Sequence, residues 1–206
     1  MNEPHLADPP GVAPPPQDDA AVIERSWDEP ERFGAVFDAH YAEIHRYVAR
    51  RLGPHAADDV SAETFALAFR RRRRYDTSRG SARPWLYGIA TNLISRYRRD
   101  EVRLLRAVGR LHPEAEPARG HEDEVTAKVS AQGVKRALAE AIATLPADQR
   151  DVLLLVALPG LSYDEVAQAL DVPFGTVSSR LNRARKKLRK ALGGTNPLLD
   201  EEETRR

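Results

Sequence analysis

Apolar side chains fall at helical intervals in two separated stretches of the chain. Phe33, Phe37, Tyr41, Ile44, Val48 and Leu52 follow one another by three or four residues, which is one face of an amphipathic helix, and Gly53-Pro54 ends it. Val60, Thr64, Leu67 and Ala68 mark a second helix. Leu86, Ile89, Ala90, Leu93 and Tyr97 mark a third, from about Pro84 to Arg99, with Pro84 in the first turn, where its missing N–H has no helical partner to lose. Further on, Val134, Leu138, Ala141, Ile142 and Leu145 repeat the pattern ahead of Pro146, and another helix runs to about Leu158 before Pro159-Gly160. No stretch alternates as a strand does. The expected fold class is all-α: two small helical bundles joined by a flexible linker.

The segments between and around these helices read differently. Residues 1–24 carry Pro9-Pro10 and Pro14-Pro15-Pro16 with few large apolar groups. Such a stretch cannot bury enough surface to offset its ordering entropy, so it is expected to be a disordered, acidic tail. Residues 106–132, with Gly109, Pro113, Pro117, Gly120 and several glutamates, read as a linker, and 193–206 as a flexible tail. The bundles are then 25–105 and 133–192.

Charge sharpens this division. The 206 residues hold 32 Lys+Arg and 31 Asp+Glu, a formal charge of +1. The near balance hides blocks: 1–30 has seven acids against one base, 31–100 eight against fourteen, and 136–192 six against nine. Two basic blocks with acidic ends point to a polyanionic partner. The absence of cysteine excludes a disulfide scaffold, a thiol nucleophile and Cys-based metal centres. The longest apolar run, Val152–Leu158, is far short of the roughly 20 residues that span a bilayer, so no membrane insertion is expected. Met1–Gln17 has no basic and apolar leader pattern, and a cytoplasmic protein is expected.

The rear basic block has the layout of a helix-turn-helix. Ser162 and Glu165 have the spacing of a capping box, in which each side chain bonds the other residue's backbone N–H. Val166, Ala167 and Leu170 give the short helix an apolar side; Asp171-Val172-Pro173 turns the chain. A second helix opens near Phe174 with the stripe Val177, Leu181, Ala184, Leu188, Leu192, and with seven bases and no acid across 174–192. A short helix, a tight turn and a longer basic helix are the layout that docks the second helix in the DNA major groove, with a solvated basic helix or an RNA- or protein-binding three-helix unit as the other readings. Thr176, Ser178, Ser179, Arg180 and Arg183 lie where side chains reach base edges. Lys186, Lys187, Arg189 and Lys190 lie where they meet phosphates.

In the front block, Trp85, Gly88, Asn92, Arg96 and Arg99 share a face of the third helix, opposite its apolar stripe. Rings that stack on bases and guanidinium groups that hold phosphates suit single-stranded nucleic acid. A turn-rich loop, Tyr75–Ser81, frames that face and brings in Tyr75, Ser78, Arg79 and Ser81. The five consecutive arginines Arg70–Arg74 point all round a helix and cannot form a single stripe, so some are expected to face water or structural partners. Asp59 and Glu63, spaced i, i+4, share a face that with Asp58 fits a basic protein surface or, less readily, Mg²⁺. His40 and His45 are wrongly spaced for a zinc pair.

Four segments together resemble one family. Asp58–Phe65 (DDVSAETF), Pro84–Leu93 (PWLYGIATNL), Leu145–Arg150 (LPADQR) and Val172–Arg185 (VPFGTVSSRLNRAR) are similar, in order, to the signatures of extracytoplasmic-function sigma factors, small bacterial initiation subunits of RNA polymerase. The resemblance implies a non-enzymatic subunit without a cofactor, cytoplasmic and nucleoid-associated. Its partners would be core RNA polymerase (clamp helices and flap), promoter DNA and an anti-sigma factor. The front bundle would correspond to region 2, melting and reading the minus-10 element through Tyr75, Ser78, Arg79, Ser81, Trp85, Asn92, Arg96 and Arg99, with Asn92 near a flipped-base pocket. Asp58, Asp59 and Glu63 would face the clamp. The rear bundle would correspond to region 4, binding the minus-35 element through Thr176, Ser178, Ser179, Arg180, Arg183, Lys186 and Lys187. The acidic linker would thread toward the RNA path. The alternative is a stand-alone helix-turn-helix regulator that binds duplex DNA as a dimer. A third, a metal-dependent nuclease using Asp58, Asp59 and Glu63, lacks a second ligand-bearing segment.

Overall fold

The computed structural model describes residues 18–111 and 131–192, and these are helical. In order they form α1 (Asp19–Arg25), α2 (Gly34–Leu52), α3 (Pro54–Arg71), α4 (Arg83–Leu111), α5 (Ala131–Ala143), α6 (Ala147–Ala157), α7 (Tyr163–Leu170) and α8 (Phe174–Ala191). Short 3-10 turns at Pro30–Phe33, Arg72–Arg74 and Thr77–Arg79 link the first four helices. Of the expected tails and linker, residues 1–17, 112–130 and 193–206 lie outside the described residues, while 106–111 and 131–132, expected in the linker, belong to α4 and α5.

The front bundle packs α2, α3 and α4 together. Gly53 separates α2 from α3 at φ 86°, a conformation only glycine adopts without strain, and Pro54 then starts α3. The core face of α2 carries Val36, Ile44, Tyr47 and Val48, and that of α4 carries Leu86, Tyr87, Ala90 and Ile94.

One sequence expectation is corrected here. Residues 19–24, assigned to the disordered tail, form α1 and are held by long-range bonds. Ile23 is fully buried, and the Asp19 carboxylate accepts the Ala82 N–H at 2.8 Å and pairs with His40 at 3.0 Å. The arginine run fastens the segment that follows. Arg72 donates to the Ser26 carbonyl at 3.1 Å, Arg73 to the Trp27 carbonyl at 2.7 Å, and the Trp27 indole donates back to the Arg72 carbonyl at 3.2 Å. Two of the five arginines thus serve as structural donors, in line with their all-round directions. The third helix also outruns its expected end near Arg99, continuing to Leu111.

The rear bundle packs α5, α6 and α7 around α8, with Val152, Leu155, Val166, Val177 and Leu181 at its centre. The capping box forms as read: Ser162 accepts the Glu165 N–H at 3.2 Å, and Glu165 accepts the Ser162 N–H at 2.8 Å. Asp171, left-handed at φ 51°, closes α7.

The two bundles do not stand apart. α4 packs against α7 and α6, and the apolar core is continuous across both bundles. Gly88 lies so close to α7 that a Cβ there would collide with the Ala169 carbonyl oxygen. Arg51, its side chain 2% exposed, donates to Asp151 of α6 at 2.6 Å and to the Tyr47 hydroxyl oxygen at 2.7 Å. Arg83 donates to the Pro159 carbonyl at 2.6 Å and faces Glu165 at 3.5 Å.

Candidate nucleic-acid interface

On the front bundle, Asn92, Arg96 and Arg99 stand exposed on one side of α4, as their spacing predicts. Trp85 does not: it is half-buried, with Tyr75 ring to ring at 5.0 Å. Tyr75 itself is 6% exposed, so its place in the expected recognition surface is corrected to a core position. Burial, helped by the charges of Asp19 and Asp76, pushes its phenol pKa up to about 12. Tyr75 therefore sets the seat of the Trp85 ring rather than offering a hydroxyl to a ligand.

The loop that frames this face is fixed by one carboxylate. Asp76 accepts the Ser78 N–H at 3.1 Å, the Ser78 hydroxyl at 2.6 Å and the Arg79 Nε–H at 3.1 Å. These bonds hold its carboxyl below the usual range. Ser78 and Arg79 are consequently presented at the surface in a set conformation, and Ser81 is exposed beside them, its hydroxyl oxygen accepting the Arg83 N–H at 3.2 Å. The middle of the face is occupied: α7 of the rear bundle lies over Gly88, between Trp85 and Asn92.

The acidic edge lies on α3. Asp58, Asp59 and Glu63 are exposed, with His45 bonding Asp58 at 2.9 Å and Arg70 pairing Glu63 at 2.8 Å. The sequence reading missed what adjoins them. Phe37, assigned to the core stripe of α2, is 40% exposed, stacked on Tyr41 at 4.8 Å and edge-on to Phe65 at 5.0 Å. Tyr41 neighbours His45 in turn, at 5.8 Å. The strip Phe37–Tyr41–His45–Asp58 thus joins exposed aromatic surface to carboxylates, the composition of a protein-docking face. Its signal was the i, i+4, i+8 spacing of Phe37, Tyr41 and His45, which the stripe running on to Leu52 obscured. Among the described residues no group of three His, Asp or Glu side chains stands positioned to hold a metal ion.

On the rear bundle, Arg183, Lys186 and Lys187 are exposed along α8, while Thr176, Ser178, Ser179 and Arg180 are half-buried. The Ser179 hydroxyl donates to the Thr176 carbonyl at 3.1 Å, and Arg180 pairs with Asp148 of α6 at 3.2 Å. Arg180 is therefore engaged within the bundle, whereas Arg183 is exposed on the part of α8 that the spacing predicts to meet base edges. Phe174, 50% exposed at the start of α8, neighbours Tyr163 at 6.0 Å. Among the described residues no helix is long and apolar enough to cross a membrane.

Comparison with known proteins matches both halves of this arrangement. The family model for Sigma-70 region 2 matches residues 36–104, and that for Sigma-70, region 4 matches residues 135–188. The ECF RNA polymerase sigma factor SigC of Mycobacterium tuberculosis is 35% identical over 160 residues, covering 73% of this chain and 78% of the relative. The ECF RNA polymerase sigma factor SigW of Bacillus subtilis is 30% identical over 175 residues, covering 79% and 89%. Among solved structures, CnrH in complex with the cytosolic domain of CnrY aligns over 87% of this chain and 100% of that one, at a TM-score of 0.58 and 22% identity. RpoE in complex with the anti-sigma factor NepR, from Bartonella quintana, aligns over 81% and 99%, at a TM-score of 0.50 and 20% identity.

Proposed function

Because the chain belongs to the extracytoplasmic-function sigma factors, which direct core RNA polymerase to promoters, we propose a division of that work among its surfaces. The front bundle captures the melted minus-10 strand along Asn92, Arg96 and Arg99, with Trp85 as a stacking ring and Ser78, Arg79 and Ser81 at the rim. The rear bundle reads the minus-35 duplex with Arg183 and the start of α8, and holds its phosphates with Lys186 and Lys187. The acidic edge of Asp58, Asp59 and Glu63, extended by Phe37 and Tyr41, docks on the polymerase clamp. The rear bundle also meets the polymerase flap. Sigma factors are in general non-enzymatic, so the phosphodiester chemistry is the polymerase's. The protein acts in the cytoplasm, at the nucleoid, and is restrained there by an anti-sigma protein, a partner of the kind that RpoE of Bartonella quintana has in NepR.

The observation that supports this reading is the presence of two basic faces on separate bundles together with an exposed acidic and aromatic edge on α2 and α3. A lone helix-turn-helix regulator would need only the rear face. Strand capture along all of α4 requires that α7 first leave Gly88, so the packed bundles are the form that precedes promoter engagement. The test is a run-off transcription assay with core polymerase. Asp59→Ala combined with Glu63→Ala is expected to weaken polymerase binding about tenfold, the equivalent of about 1.4 kcal/mol, with affinity for a minus-35 duplex unchanged. Unaltered polymerase affinity in that double variant would refute the docking edge, and promoter-specific initiation without the protein would refute the whole assignment.

A further inference from the structure

Between the bundles lies a cleft of about 470 Å³ that, apart from Arg99, none of these roles uses. It is walled by Arg51 from the end of α2, Arg98, Arg99 and Arg103 from α4, and Arg150 and Asp151 from α6. Five guanidinium groups therefore line a wall that holds one carboxylate, already taken by Arg51 at 2.6 Å; Arg103 pairs along its own helix with Asp100 at 3.2 Å, and Arg98 and Arg150 each donate one N–H to a backbone carbonyl, of Arg51 and Leu145. Burial and the charges of Arg51 and Arg150 lower the pKa of Arg98, which places these like charges close together. The Nε–H groups of Arg51 and Arg150 are buried and find no acceptor. The eleven-residue α6 also begins on this wall, at Ala147, with no side-chain cap on its free N–H groups. Unmet buried donors, crowded positive charge and an uncapped helix start all call for a ligand rich in acceptor oxygens and negative charge.

We propose that this cleft binds a small, multiply charged phosphate anion, a di- or triphosphate group, which bridges α4 and α6 and holds the two bundles together. Arginine forks and helix N–H groups match phosphate oxygens in geometry as well as charge. The volume suits a small molecule; the cleft between two packed bundles does not admit a duplex, whose major groove alone is about 12 Å wide. Binding does not depend on the promoter roles assigned above. Only its consequence, slower promoter capture, rests on that reading.

The test uses the full chain and sodium tripolyphosphate at constant ionic strength. Calorimetry is expected to show saturable one-to-one binding, weakened at least tenfold in Arg98→Gln combined with Arg150→Gln. The single variant Arg103→Gln, at a side chain 76% exposed and paired with Asp100, leaves the core untouched and is expected to weaken binding several-fold. The chain has no cysteine, so dyes on Asp38→Cys and Asp164→Cys report the distance between bundles. Tripolyphosphate is expected to raise energy transfer between them. No binding, or binding undiminished in both arginine variants, would mean an adventitious ion only and overturn the site. Displacement by single-stranded DNA with the same arginine dependence would make this a nucleic-acid backbone site instead. Binding without a change in energy transfer would overturn the bridging role. Slowed transcription is read separately, so failure of the promoter assignment leaves the calorimetric result standing.

Discussion

His40 sits in a chain of paired groups that runs from the first helix to the rear bundle. Its Nε2 meets Asp19 at 3.0 Å and its Nδ1 meets Glu43 at 2.8 Å; Glu43 bonds Arg83 at 3.0 Å, and Arg83 reaches Pro159 and Glu165. Burial alone would lower the His40 pKa, but the hydrogen bonds and charges of Asp19 and Glu43 overcome it and raise the value to about 9. The same bonds outweigh burial at Asp19 and Glu43 and hold both carboxyls below their usual range. A group whose folded pKa is raised lends stability that is complete below its unfolded value, near 6.5, and is lost as pH rises through about 9. The carboxylates do the opposite, losing their share as pH falls below about 4. Thermal melts are therefore expected to weaken between pH 6.5 and 9.5 by on the order of 2 kcal/mol. That slope should flatten in His40→Gln, which keeps side-chain donors and acceptors but does not titrate in this range. A slope of the same size in His40→Gln would assign it elsewhere.

At the scale of the element, α7 and α8 were legible because their signals are local. A capping box lies within four residues, and the stripe Val177, Leu181, Ala184 needs no distant partner to declare itself. α1 was not legible, because a seven-residue helix with one fully buried isoleucine carries no period; it is ordered by Asp19 and by Arg72 and Arg73, each distant in sequence from what it holds. α2 was legible in extent but rotated in detail. Ile44 and Val48 are buried as expected, whereas Phe37 turns outward and Val36 and Tyr47 turn in. Of the surfaces, the exposed arginines of α4 and α8 were readable from spacing, while the burial of Tyr75 and the capture of Arg180 by Asp148 depend on contacts between elements. With Arg180 engaged, the proposed minus-35 reading rests its discrimination on Arg183. Arg183→Ala is expected to cost about 1–3 kcal/mol on a cognate minus-35 duplex and much less on an unrelated one. Equal losses on both duplexes, measured by fluorescence anisotropy at one salt concentration, would make Arg183 a phosphate contact.

For the molecule as a whole, the contact at Gly88 decides how the bundles sit. Alanine is favoured over glycine inside a helix by about 1 kcal/mol, so Gly88→Ala should stabilise α4 itself. Its methyl group nevertheless has no room beneath the Ala169 carbonyl. The variant is expected to separate the bundles, raising the radius of gyration in small-angle scattering and strengthening binding to a minus-10 single strand several-fold. A radius and strand affinity equal to those of the parent would show that α7 does not mask this face. The buried pair of Arg51 and Asp151 adds a cost to separation that depends on rehydrating both charges.

The described residues stop at Leu111 and resume at Ala131, and the covalent chain between them, about 20 residue steps, reaches at most about 70 Å. A rear bundle let go by α4 therefore stays within a sphere where its local concentration is on the order of 1 mM. Recapture is a unimolecular event at every cellular dilution of the protein, and only ligands that seize both halves at once, or bind one half more tightly than that self-competition, can keep it apart.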